Sequence, residues 1–130
     1  MNHSIVPNNK HDIEACNYLS QASDKNVNEN LSELFEWLQD VNWPVAFHVI
    51  NRIKKLDKTL SEPIKEILNS SDGGWKYNII SHLIADTSIT TRLDLKLEIQ
   101  RLIDKPTPDD IKEEVNIVAK ELFDEIYKNV

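Results

Sequence analysis

The sequence predicts an all-α fold: seven helices in about three stacked hairpins, an α-α superhelix with no sheet. Three observations predict it. The chain of 130 residues has only two glycines, Gly73 and Gly74, and an all-β design needs glycine for its tight turns. Apolar residues recur at intervals of three and four, the helical period. The pattern also repeats, since a shift of 34 residues carries Ala46 onto Ile80, Val49 onto Leu83 and Ile50 onto Ile84. A fixed period in this range marks stacked helix pairs, each burying its stripe against its neighbours.

The elements follow in order. Residues 1–11 read as an extended, Asn-rich lead-in with Pro7. Asp12 is the expected N-cap of a first helix over 13–20, because its carboxylate accepts from free backbone N–H groups. Ile13, Cys16 and Leu19 or Ala22 would face inward. Residues 23–28 are polar and read as a turn. A second helix from about Asn28 carries the stripe Leu31, Leu34, Phe35 and Leu38, with Trp37 beside it. Asp40, Val41 and Asn42 make the next turn. Asn42 is the expected cap of a third helix, and Pro44 fits its first turn, where a missing N–H costs nothing. That helix points Val45, Ala46, Val49, Ile50, Ile53 and Leu56 inward. Its basic end, Arg52, Lys54, Lys55 and Lys58, opposes the negative end of the helix dipole.

Ser61, Glu62 and Pro63 open a fourth helix, Ser61 as its expected cap and Pro63 near its start, with the stripe Ile64, Ile67 and Leu68. The Gly pair places a turn over 69–74. A fifth helix over 75–84 buries Ile79, Ile80, Leu83 and Ile84, and a loop or ragged helix start follows over 85–91. The run RLDLKLEIQRLID is ambiguous, because Leu93, Leu95, Leu97 and Ile99 alternate as in a strand. Its residue types favour helix, and Leu95, Ile99, Leu102 and Ile103 also form a helical stripe. A lone strand has no partner elsewhere in the chain, so a sixth helix is expected. Thr107 then caps a seventh, which begins at Pro108 with Asp109 and Asp110 in its first turn. It extends to about Lys128. Ile111, Val115, Val118, Leu122 and Ile126 form its stripe, and Glu113, Glu114, Glu121, Asp124 and Glu125 its acidic face.

The bulk properties set limits. One domain over 1–130 is expected, long enough to bury roughly two-thirds of its unfolded surface without staples. Fifteen Lys and Arg against 22 Asp and Glu leave a net charge of −7. That balance disfavours nucleic-acid binding, which draws its affinity from cations on phosphates. It suits a basic protein partner. Cys16 is alone, so no internal disulfide forms, which fits a cytoplasmic location. No apolar run resembles a signal peptide, and none approaches the ~20 residues needed to cross a bilayer.

The segments LQDVNWPVA (38–46) and EILNSSDGGWKYNII (66–80), with Pro7, Lys10, Asp12 and Ala15 in the lead-in, resemble a bacterial group of short HEAT-like proteins. That family is catalogued as domain of unknown function 5071. The resemblance spans nearly the whole chain and is weakest over 85–97. The Asn42-Trp43-Pro44 run, with Trp75-Lys76-Tyr77 at its distance, is its most specific part. It implies a small right-handed stack of HEAT-like helix hairpins and carries over no activity, ligand or catalytic residue.

The candidate binding residues are Trp37, Gln39, Asp40, Asn42, Trp43 and His48, gathered around one helix–helix turn. As a recognition patch, the aromatics would anchor an interface and the polar groups would orient it. As structure, Asp40 and Asn42 would cap, and Trp43 would pack on the next hairpin. His48 and His82 become equivalent under the 34-residue shift. Packed helices sit roughly 8–10 Å apart, and neither helix carries a metal-binding spacing, so no metal or cofactor is expected. Cys16 lacks a redox motif and reads as a small core residue. No catalytic residue is assigned. The leading expectation is a non-catalytic interaction module for an unknown protein partner, basic in character, in an inhibitor or immunity-type role. One alternative is a small-molecule or nucleotide-processing enzyme with its site near Asp40 and Trp43. A second is nucleic-acid binding through the patch Arg52, Lys54, Lys55 and Lys58.

Overall fold

Helices begin where a side chain takes up the free N–H groups of the first turn. In the computed structural model, which describes residues 4–127, these sites divide the chain more finely than the apolar stripes alone. The described residues form ten α-helices: α1 (Ile13–Gln21), α2 (Asp24–Glu29), α3 (Leu31–Glu36), α4 (Pro44–Ile53), α5 (Ser61–Leu68), α6 (Gly73–His82), α7 (Ile89–Asp94), α8 (Lys96–Asp104), α9 (Pro108–Lys112) and α10 (Val115–Ile126). Short 3-10 turns occupy Trp37–Gln39, Lys58–Leu60 and Ile84–Asp86. There is no β-strand among the described residues. The expected residues 1–3 of the lead-in and the expected helix end at Lys128 lie outside them.

The all-α expectation holds, but seven helices become ten, for three local reasons. The polar stretch 23–28 is helical: Ser23 Oγ accepts from Asn26 N at 3.1 Å, and Val27 is fully buried. The sixth expected helix starts earlier, at the Ser88 cap, and divides into α7 and α8 at Leu95. The seventh divides at Glu114, whose backbone is left-handed at φ 60°, ψ 25°. For a residue with a Cβ that conformation costs on the order of 1 kcal/mol.

Caps at Asp12 and Thr107 match expectation; those at Asn42 and Ser61 do not. Trp43 holds the cap position of α4 without a side-chain bond. Ser61 lies inside α5, and its Oγ donates to Asp94 of α7 at 2.9 Å. The Gly pair is not a turn: Asp72 caps it, and both glycines lie in the first turn of α6. In the ambiguous run, Leu95, Ile99 and Leu102 are buried while Leu93 and Leu97 are 46% and 81% exposed, so the helical stripe wins. Ile13 and Ile111, expected inside, are exposed.

One apolar cluster runs from Ile5 to Tyr127. α1 packs on α4, α4 on the 3-10 turn after α3, and α6 on that same turn and on α10. α10 packs in addition on α8 and α9. All six residues paired by the 34-residue shift are buried.

A buried ion pair joins α6 to α9. Lys76 is 2% exposed and Asp110 0%, with Nζ to Oδ1 at 2.6 Å. The other Asp110 oxygen accepts from Thr107 N at 2.9 Å, and Thr107 Oγ1 accepts from Asp110 N at 3.1 Å, a reciprocal capping box. Burial alone would raise the Asp110 pKa, but the Lys76 ammonium and the Thr107 N–H outweigh it and hold the carboxyl below its ordinary value. A depressed folded-state pKa makes this stabilisation fully present above the ordinary Asp pKa of about 3.9 and lost as the pH falls through it toward the lower native value.

Beside the pair, α9 approaches the first turn of α6 closely. Gly73 N donates to Asp109 Oδ2 at 3.0 Å. A Cβ at Gly73 would lie 2.7 Å from that oxygen and 2.8 Å from Glu113 Cγ, whereas one at Gly74 would meet nothing nearer than 3.7 Å.

Asp110→Asn keeps an acceptor for the cap but leaves Lys76 without its counter-ion, an expected loss of about 3–5 kcal/mol in urea unfolding. Adding Lys76→Met should recover much of it; strictly additive losses would show the two side chains to be energetically independent. Gly73→Ala should destabilise by roughly 1–3 kcal/mol through overpacking. Gly74→Ala, one residue along, should stabilise by up to about 1 kcal/mol through helix propensity. Thermal melts of both variants check the contrast.

Candidate functional site

α3 is only six residues long, and carbonyls near its end and in the 3-10 turn that follows it take partners from elsewhere. α6 supplies them. Trp75 Nε1 donates to Phe35 O at 3.0 Å, and Asn78 Nδ2 donates to Leu38 O and Gln39 O, both at 3.0 Å. The chain then turns. Asp40 Oδ1 accepts from Asn42 N at 2.9 Å, and Asp40 O accepts from Trp43 N at 3.2 Å. The side chain of Asp40 thus mimics a backbone turn and delivers Trp43 to the start of α4. There the Trp43 ring meets Trp37 edge to face, with centroids 5.4 Å apart and planes at 73°. Both indoles remain partly exposed.

The lead-in forms the facing wall. Ile5 is buried in the core. Asn8 N donates to Asp12 Oδ2 at 2.9 Å, and Val45 N donates to Lys10 O at 3.3 Å. Between this wall and the Trp pair lies an open pocket of about 490 Å³. Ser4, Val6, Pro7 and Asn8 line one side; Glu33, Glu36, Trp37, Gln39 and Trp43 line the other. Glu33 and Glu36 are three apart on α3, so they share a face. Neither takes part in any ion pair among the described residues.

Three of the six sequence-predicted residues, Trp37, Gln39 and Trp43, therefore come together at this pocket. The other three do not line it. Asp40 and Asn42 are engaged in the turn, and His48 is exposed on α4. It is Phe47, not His48, that meets His82, with ring centroids 5.5 Å apart. Sequence reasoning missed Glu33 and Glu36, and it missed the lead-in wall. Glu33 and Glu36 sit opposite the apolar stripe of α3, where charge reads as ordinary solvated surface. Their one signal was their place within a turn of Trp37.

Carboxylates around indole faces attract organic cations: the ring quadrupole and the negative charge act in the same sense. No histidine, cysteine, lysine or arginine among the described residues lines the pocket. Among the described residues, no group of three or more His, Cys, Asp or Glu is placed to hold a metal ion. Cys16 is buried and its thiol pKa raised, by burial first and by the Asp12 charge second. The expected basic patch is broken at its first member. Arg52 is 8% exposed, and its guanidinium donates to Ala22 O at 2.9 Å and to Asp24 Oδ1 at 2.6 Å. Among the described residues no helix is long and apolar enough to cross a membrane.

No curated protein matches the chain closely enough to count as a relative. A family model described as a domain of unknown function matches residues 5–123. That span runs from the buried Ile5 of the lead-in to Phe123 of α10 and takes in every residue lining the Trp37–Trp43 pocket except Ser4. The chain belongs to the DUF5071 family.

Proposed function

We propose that this chain is a non-catalytic protein-interaction module whose docking site is the Trp37–Trp43 pocket, and that its partner is a basic protein. One observation carries the reading: two partly exposed indoles share an open pocket with two carboxylates that, among the described residues, have no cation opposite them. Aromatic anchors of this kind supply interface energy, and the acidic rim steers a basic partner into place. The net charge of −7 acts in the same direction over longer range. An inhibitor or immunity-type protein, masking a basic enzyme surface in the bacterial cytosol, is the form this takes. We read the helices as a HEAT-like stack of three hairpins. The shared burial across the 34-residue shift supports that reading, and so does the position of α6 between the turn after α3 and α10.

The pocket volume also suits a small organic molecule, since ligand sites run from ~300 to 1,000 Å³. Against a small-molecule or nucleotide-processing enzyme there, Asp40 and Asn42 are committed to the turn and His48 lies outside the pocket. Nucleic-acid binding through the 52–58 patch is left with Lys54, Lys55 and Lys58 once Arg52 is paired inward.

The test is a pull-down from the native host at low salt, comparing the natural chain with Glu33→Lys/Glu36→Lys. Both positions are exposed, so the fold should survive. The natural chain should retain a basic protein, and the variant should lose it by at least about tenfold, as expected for reversed charge at a docking site. An acidic partner, a partner held equally by both, or no partner would each sink the proposal.

A further inference from the structure

A second pocket also takes part of its wall from α3. It is smaller, about 210 Å³, and is walled by Phe35 of α3, Pro63 and Ile67 of α5 and Trp75 of α6, with Glu62 and Glu66 among its lining. Its plan repeats that of the Trp37–Trp43 pocket. Each combines a partly exposed indole with two carboxylates about one helical turn apart, Glu33 and Glu36 in one, Glu62 and Glu66 in the other. Among the described residues, neither is lined by lysine, arginine or histidine. Glu66 has no ion-pair partner among the described residues. Glu62 has Lys65 Nζ at 3.8 Å, but its side chain is 82% exposed, and a long surface pair of that kind exchanges readily.

The two sites share α3: Glu33 and Glu36 line one, Ser32 and Phe35 the other. Ser32 and Glu36 are four apart on that helix and so are neighbours on its surface. An extended chain advances roughly 3.3 Å per residue, so one segment of a few residues can reach both sites.

We infer that the two pockets act as a pair and hold two arginine side chains on one extended segment of a partner protein. The inference rests on the reading of the first pocket given above. Arginine is the matching cation because its planar guanidinium stacks on indole and forks onto carboxylate, whereas lysine presents a hydrated point charge. Occupying one pocket raises the effective concentration of the second arginine at the other, so the pair binds far more tightly than either alone.

The probe is a blocked five-residue peptide with arginine at both ends and Gly-Ser-Gly between them. The controls replace one or both arginines by citrulline, the neutral isostere. The full chain is titrated while the indole N–H signals are followed by NMR, Trp37 and Trp43 reporting the first pocket and Trp75 the second. The two-arginine peptide should bind at least about tenfold tighter than either one-arginine peptide and should shift all three signals. Glu62→Gln/Glu66→Gln should reduce it to the one-arginine level while leaving the Trp37 and Trp43 responses in place. If the two-arginine peptide binds no tighter, or the Glu62/Glu66 variant changes nothing, while Trp37 and Trp43 still respond, the pairing is wrong and the first pocket stands alone. If no arginine peptide moves any indole signal, both this inference and the cation-binding reading of the first pocket fall.

Discussion

The fold depends on a charge pair that water does not reach. Lys76 and Asp110 meet at 2.6 Å in the interior, and each would be costly to bury without the other. The pair fixes more than itself. Asp110 closes the capping box that starts α9, and its neighbour Asp109 takes a backbone N–H from the first turn of α6. That close approach in turn requires glycine at position 73. Lys76 belongs to the helix that also bonds the end of α3 through Trp75 and Asn78. The placement of the Trp37–Trp43 pocket is thus linked, through one helix, to the buried Lys76–Asp110 pair.

Charge is used differently inside and out. Among cations, Lys76 is buried with a carboxylate partner, and Arg52 is buried against Asp24 and a backbone carbonyl. At the pocket rim the opposite holds, and carboxylates face space without partners among the described residues. Satisfied buried charge specifies geometry; unsatisfied exposed charge specifies what arrives.

What was legible in the sequence is what local chemistry decides. Thr107, Pro108 and Asp110 spelled out a helix start, and the Leu95, Ile99 and Leu102 spacing outweighed the alternating Leu93 and Leu97. The breaks were not legible. Glu114 adopts a left-handed backbone with no glycine or proline to announce it, and Asp24–Glu29 is helical because Val27 finds a core position that only the folded chain supplies. The same division runs through the candidate site. Trp37 and Trp43 stood out by residue type. Glu33 and Glu36 did not, because their significance depends on a wall contributed by the lead-in. Asn42 resembled a cap but became part of a turn governed by Asp40.

The bonds from α6 to the end of α3 join residues 39 to 40 positions apart in the chain. Synthesis delivers the N-terminal half first, so Trp37 and Trp43 leave the ribosome well before the segment that supports their turn. Until Asn78 has emerged, the carbonyls of Leu38 and Gln39 have only water for partners. The nascent chain therefore carries Trp37 and Trp43 before the turn that orients them has its support from α6.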